Sequence, residues 1–339
     1  MSTFEGERRR AGASSDSERV AAQAALDAIE ELSRVNRDAP DPDRERRLVE
    51  LRHQAYGAVP VAPGRPAWPP DLADPFPGER GLPEISADQL SAAVIGGGVV
   101  HHGCVRVNGL MSADEAARFR DYIDASFDER DHDASGDGAE PATRSYVPFP
   151  LGREKADGFG RAGFVRAVDV PHALFDLVEV FAATGVRAAI TDYFQERPVM
   201  IANKWVLRKT ATGKIGPDFH QDGAFLGDAI RTIDCWIALS HCGPGTGKPA
   251  VDLVPRRFPI LASGEGAAFS WSLAEEVVTA AAPDAEIVSP VFAPGDALFF
   301  DERLPHRTTV GLDLSTRYAI ESWFVAKSSY PSKHVPIVL

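Results

Sequence analysis

The stretch FAPGDALFFDERLPHRTTVGLDLSTRYAIESWF, Phe292 to Phe324, decides the fold. Its opening APGD is a turn and ALFF is an apolar run of strand length. His306 then follows Pro305, and Arg317 opens a second aromatic run, RYAIESWFVA. Outward from this stretch, everything beyond Pro198 has the same texture: VMIANKWVLRK, TIDCWIALSH and AVDLVP are short β-type runs parted by Gly/Pro turns. Helical patterns come earlier in the chain. Helices first and short strands after them predict a mainly β core, an antiparallel double sheet with helices packed outside it.

Residues 1–16 read as a disordered tip. From Ser17 to Val35, Val20, Ala24, Ala28 and Leu32 recur at four-residue spacing with Ala25 and Ile29 beside them, which predicts a helix with that stripe buried. A second helix is expected from Asp43 to Tyr56. The prolines of residues 57–83 forbid regular structure and predict an ordered coil or a linker. GVVHHGCVRVNGL reads as a strand leading into SADEAARFRDYIDASF, where Ser112 and Glu115 form a capping box and Ala116, Phe119, Ile123 and Phe127 the buried side. Residues 130–163 read as a long loop and 171–195 as helical. The expected division is a helical, proline-rich extension over 1–83 and one domain over 84–339.

The 339 residues are 44% hydrophobic and 25% charged, ordinary for a globular protein. A formal net charge of -13 opposes binding to a nucleic-acid backbone or an anionic membrane, and no run approaches a membrane span. Cys104, Cys235 and Cys242 are too scattered for a disulfide framework, and no CxxC pair exists for a thiolate zinc site. The amino-terminal residues hold no apolar leader segment, so the cytoplasm is the expected address. The excess of arginine over lysine and the abundant alanine suggest a GC-rich bacterial genome.

The segment FHQDGAF places His220 and Asp222 two positions apart, on one face of an extended strand. Nine histidines give about 0.7 such HxD matches by chance, so the pair alone is either half of a metal site or a loop-edge pair bonded to backbone. Adding His306 makes two imidazoles and one carboxylate, the facial set suited to non-haem Fe(II). Arg317 supplies a guanidinium able to clamp a carboxylate with two hydrogen bonds.

From Val99 to Ala326 the chain resembles the phytanoyl-CoA dioxygenase family of Fe(II)/2-oxoglutarate oxygenases. The resemblance is carried, in order, by HHGCVRVNGLMSADEAARFRDYID, HQDGAF, TIDCWIAL, GKPAVDLVPRR, APGDALFFD and PHRTTV with Arg317. It implies a double-stranded β-helix (jelly roll, cupin-like) with His220, Asp222 and His306 as iron ligands. Arg317, helped by Thr308, would bind the far carboxylate of 2-oxoglutarate, and Trp236 would line the cosubstrate pocket or serve as a core aromatic. It further implies O2 as co-reactant, release of succinate and CO2, and hydroxylation of an unactivated C–H bond of a small molecule. Desaturation, epoxidation or cyclisation at the same site is the alternative. Related halogenases replace the carboxylate ligand with a small residue; here Asp222 is intact. Where the family often has Pro-Gly-Ser-His, this chain has Pro255-Arg256-Arg257-Phe258, which leaves any borrowed substrate in doubt.

Other residues invite weaker readings. His241 and Cys242 read as turn material, and His101 and His102, if extended, face opposite ways. Asp234 alternates with Trp236 and is expected either to pair with a neighbouring arginine or to support the metal site from behind its ligands. The triplet Gly96–Gly98 lacks the strand-GxGxxG-helix context of a dinucleotide loop. Arg256, Arg257, Arg303 and Arg307 lie on loops near the expected site, as solvated residues or as readers of an anionic substrate. Two competing classes are a jelly-roll binding protein without turnover and a zinc-dependent hydrolase or isomerase, which leaves Arg317 unexplained.

Overall fold

The protein, described as a computed structural model, is defined over residues 16–61, 67–135, 145–152, 163–204, 207–210, 218–227, 229–309 and 315–339. Two helices come first, α1 (Asp16–Asp38) and α2 (Pro42–Ala58), the latter capped by Asp41, which accepts from the Arg44 amide. The buried face of α1 is only half of the expected stripe. Val20, Ala24 and Ala28 are exposed, while Ala25, Leu26, Ile29 and Leu32 meet Leu48, Leu51 and Ala55 of α2. Alanines bury little area, so the larger side chains set the docking face, and Asn36 fixes it by donating to Glu45 and accepting from the Asp41 amide.

Residues 67–83 form the expected coil. Trp68 packs on Tyr193 and Phe194, and Leu72 and Phe76 rest on the core. After β1 (Glu84–Ser86) the chain departs from its predicted course. The apolar run expected to be a strand begins as α3 (Ala92–His102), and only β2 (Cys104–Asn108) is extended. Ser91 caps α3 by accepting from the Val94 amide, and Gly103 ends it at φ 80°, where a Cβ would strike the Arg256 carbonyl. Gly96, Gly97 and Gly98 therefore lie on a helix, where Tyr193, Pro75 and Val105 occupy the space a Cβ would need.

Helix α4 (Ala113–Ser135) starts at the predicted capping box, with Ser112 and Glu115 exchanging side-chain-to-amide bonds. Ala116, Phe119 and Ile123 are buried and Phe127 partly so. The helix continues to Ser135, so the long loop cannot begin at 130; residues 136–144 and 153–162 of that stretch lie outside the described residues. Then come β3 (Phe164–Val165) and the helices Pro171–Ala183 and Val186–Phe194.

The strands that follow are β4 (Pro198–Ile201), β5 (Leu207–Thr210), β6 (Phe219–His220), β7 (Thr232–Ala238), β8 (Val251–Leu253), β9 (Ser272–Leu273), β10 (Ala297–Phe300), β11 (His306–Thr308), β12 (Arg317–Ala326) and β13 (Pro336–Val338). They build a nine-stranded sheet running β1-β2-β10-β7-β12-β4-β13, with β5 also on β12 and β3 on β5. A four-stranded sheet runs β8-β11-β6-β9. Apart from the parallel β1–β2 pair, the pairings are antiparallel. The result is a double-stranded β-helix core flanked by helices.

The large sheet is buried on both faces, which explains why its strands read as continuous apolar runs. Ile233, Cys235 and Ile237 of β7, Phe299 of β10, and Ile320 and Phe324 of β12 point to the helices, where Phe324 meets Phe181 edge-on at 5.0 Å. Their alternates, Trp236, Ala238, Leu298, Phe300 and Ala319, face Val251 and Leu253 of the small sheet. Each fully buried aromatic of this kind contributes roughly 2–3 kcal/mol. On β12 the inner face therefore carries Arg317, Ala319, Glu321 and Trp323, by strand alternation. No helix among the described residues is long and apolar enough to cross a membrane.

Candidate metal centre

His220 ends β6 and His306 begins β11, and the two residues are direct cross-strand partners in the small sheet. Their rings lie 4.2 Å apart, centre to centre. Asp222 follows two residues after His220, where its backbone carbonyl accepts from the Phe225 and Leu226 amides in the short helix Gly223–Leu226. Ligand atoms of His220, Asp222 and His306 all lie within 4.8 Å of one another.

Protonation favours metal binding. Burial, with His306 alongside, pushes the His220 imidazole down to about 3, leaving a neutral ring with a lone pair. His306 Nδ1 donates to the Leu304 carbonyl at 3.0 Å, which assigns the lone pair to Nε2. For Asp222, burial acts to raise the carboxyl, but Lys204, the two imidazoles and the Trp323 indole together hold it below the usual range. Asp222 Oδ2 accepts from Trp323 Nε1 at 2.6 Å, while its buried Oδ1 has no hydrogen-bond partner. An unpartnered carboxylate oxygen facing two imidazoles is a group that a divalent cation satisfies. The N, N, O donor set is that of non-haem Fe(II), so the residues present fit that ion.

The phytanoyl-CoA dioxygenase (PhyH) family matches residues 99–310, a span holding all three of these residues. The chain belongs to that family. As a PhyH-family protein it is an Fe(II)/2-oxoglutarate oxygenase by class, and its His/Asp/His triad is consistent with the metal site of that chemistry. No curated protein matches the chain by sequence. Among solved structures it is similar to SnoK, a non-haem α-ketoglutarate-dependent carbocyclase from nogalamycin biosynthesis, with 16% identity over 72% of this chain and 87% of that one, at a TM-score of 0.43. EvdO2 from Micromonospora carbonacea var. aurantiaca, complexed with 2-oxoglutarate, is 17% identical over 71% and 90% at 0.41. SnoN, an epimerase also from nogalamycin biosynthesis, is 16% identical over 70% and 81% at 0.36.

Arg317 lies just past the matched family span. It is buried, donates from Nη1 to the Ala250 carbonyl at 2.9 Å and stacks over Trp236 at 5.5 Å; desolvation pulls its pKa down to about 10. Ala250 also exchanges hydrogen bonds with Thr309, and Thr308 pairs with Val251. The guanidinium is thus placed toward the far end of β11 from His306, roughly 7 Å along a three-residue strand. Trp236 is buried against Phe292 on the inner face, and Thr308 is half-buried two residues past His306.

Other expectations are corrected. Among the described residues no arginine pairs with Asp234. Its carboxyl is buried, and burial with Glu321 and Asp222 nearby holds it well above the usual range. Of the two expected roles the structure favours the one beside the metal site, since Asp234 neighbours Asp222. The loop arginines are engaged with the chain's own carboxylates: Arg256 with Asp284, Arg257 with Asp301, Arg303 with Glu302, and Arg307 with Asp252 and Glu275. Phe258, at the departure from Pro-Gly-Ser-His, is buried with Phe219, Leu273 and Val278. His101 and His102, on a helix rather than a strand, bond the Leu72 carbonyl and Asp74.

Several neighbours of the site were not foreseen. Gln221 is buried between two ligands, donating to the Pro259 and Arg303 carbonyls and accepting from the Leu261 amide. Lys204 holds its ammonium 3.9 Å from the Phe225 ring and 4.3 Å from Trp323. Phe225 and Trp271 both pack against His220, and Phe269 stacks on Trp271. Alternation along β12 does put Trp323 on the same face as Arg317, a signal that could have marked it.

Proposed function

We propose that the protein is an Fe(II)- and 2-oxoglutarate-dependent dioxygenase that removes hydrogen from an unactivated C–H bond of a small molecule, with a bacterial natural-product intermediate as the substrate class. The observation that carries this is the buried Asp222 oxygen without a protein partner, facing the His220 and His306 imidazoles. His220, Asp222 and His306 would hold the ion, and when bound with 2-oxoglutarate and O2 it supplies the oxidant while succinate and CO2 leave. Arg317 would hold the distal carboxylate, with Thr308 beside it; Trp236 would form the apolar side of that pocket. Phe225 and Trp271 shield the His220 edge from water.

Asp222 fills the position a halide would need, which leaves outcomes other than halogenation. Hydroxylation and the diverted outcomes share the same hydrogen removal. SnoK and SnoN are named a carbocyclase and an epimerase, so the product must be scored for loss of two hydrogens and for isomerisation as well as for added oxygen.

The test is an anaerobic titration of metal-free protein with Fe(II) and 2-oxoglutarate, following their visible charge-transfer band, then a substrate screen by succinate release. The band is expected in the native protein, absent in His220→Ala and His306→Ala, and shifted to at least about tenfold higher 2-oxoglutarate in Arg317→Ala, the scale of a lost charge-assisted bond. Full iron-dependent turnover in His220→Ala would overturn the site. A well-folded native protein without the band would favour the binding-protein or zinc readings.

A further inference from the structure

Asp222 has two oxygens, and the structure treats them differently. Oδ2 receives the Trp323 indole N–H at 2.6 Å, while Oδ1 is buried with no partner. Both residues are almost wholly buried, so water cannot replace either bond. A six-coordinate ion with three protein ligands keeps three positions: two for a chelating 2-oxoglutarate and one for O2. A carboxylate that chelated with both oxygens would take one of those positions.

We propose that Trp323 is the positioning residue that keeps Asp222 a one-oxygen ligand. To chelate, Asp222 would have to give up the indole and leave a buried N–H without an acceptor. Its surroundings discourage that turn. Trp323 lies on the inner face of β12, directly across from Asp234 of β7, and is wedged among Ile201, Leu226, Ile230 and Val325. The Lys204 ammonium sits 4.3 Å over its ring, drawing charge from the indole and strengthening it as a donor. The charged groups facing this carboxylate are the Lys204 ammonium, which attracts it, Asp234 across from Trp323, and Arg208-paired Glu321. The inference rests on the metal-site reading proposed above and adds a role for a residue that touches no cosubstrate.

The test compares Trp323→Phe, which keeps the ring shape and loses the N–H, with Trp323→His, which can restore a ring donor. Three quantities are read: the melting temperature without metal, the Co(II) dissociation constant, and the KM for 2-oxoglutarate. Expected for Trp323→Phe are Co(II) binding as tight as native or tighter, and a KM for 2-oxoglutarate raised about tenfold or more, the scale of one hydrogen bond to a charged group; Trp323→His brings the KM back toward native. Unchanged KM in Trp323→Phe overturns the proposal. So does a parallel loss of melting temperature and Co(II) affinity, which marks a packing role alone. Failure of the native protein to bind Co(II) sinks the metal site itself and is told apart by that.

A second measurement needs no folded Trp323 variant. In native protein labelled with 15N-tryptophan, one of the five indole N–H signals should lie downfield and resist solvent exchange, an identity checked by its shift in Asp222→Ala. It should keep that position when Zn(II) is added. Its release on Zn(II) binding would show Asp222 chelating with both oxygens and overturn the proposal.

Discussion

Glu302 sits on the loop that presents His306, buried, with its Oε2 accepting from Thr232 at 2.9 Å. Burial, with Asp301 next to it, pushes its carboxyl up to about 7. In the unfolded chain the same group titrates near 4.5. Between those values the unfolded chain ionises while the folded protein keeps its proton, so this contribution to stability is complete below about pH 4.5 and lost as pH rises through 7. Glu302→Gln imitates the protonated acid. Its stability relative to the native protein should improve by on the order of 2 kcal/mol from pH 5 to pH 8, read by urea unfolding at both; a pH-independent difference would show that Glu302 ionises normally. At this scale the cluster of His220, Asp222 and His306 was legible because an HxD pair and a later histidine are local patterns. Trp323 was not, because its bond to Asp222 joins residues far apart in the chain, and neither was Gln221, which looks like a spacer until two backbone segments close on it.

Strand β6 contributes two residues to the small sheet, too few to hold His220 in place by its ladder alone. Gln221 supplies the remaining constraint by tying β6 to the Pro259–Leu261 segment and to the loop before His306. Gly223 adds another tie, its amide donating to the Glu302 carbonyl at 2.9 Å with Ile260 filling the side where a Cβ would be. Gln221→Ala leaves those buried backbone groups unmatched, and an expected loss of about 3 kcal/mol in chemical unfolding should accompany weaker Co(II) binding. Native-like metal affinity in that variant would mean β6 is held by other means. The element that misled, the end of α3, shows the limit of periodicity: Val99 and Val100 suit a strand by composition. What makes it a helix is Ser91 at one end, Gly103 at the other, and three glycines that let β2 and Tyr193 approach. The strands were legible as a set because both faces of the large sheet are apolar, but that same property hid their pairing order.

At the scale of the molecule, α1 and α2 pack onto the body of the fold. Leu48, Ala55 and Val59 share a cluster with Phe175 and Val338, and Arg52 Nη1 donates to the Val338 carbonyl at 3.0 Å. Removing residues 1–59 uncovers that cluster and the end of β13, and the melting temperature should fall by roughly 5 °C or more; a truncated chain that melts with the full-length protein would show that the helices add nothing to the fold. The large sheet, the flanking helices and the proline-rich coil followed from the sequence as a plan. The face on which α1 docks followed only in part, because it depends on which partner the larger side chains find.

One consequence reaches beyond the site. The three cysteines are free, so no covalent tie joins distant parts of this chain. An ion gripped by both His220 and His306 would be such a tie, closing the long excursion from β6 to β11 the way a disulfide closes a loop, an effect worth about 4 kcal/mol for loops of that size. Loading and stripping the metal should then act like oxidising and reducing a bridge. Amide hydrogen exchange at Phe219–Gln221 and His306–Thr308 should slow sharply with Zn(II) and recover with chelator, while α4 stays unchanged. Metal supply would set how long the two halves of the barrel stay fastened, apart from any chemistry the ion performs.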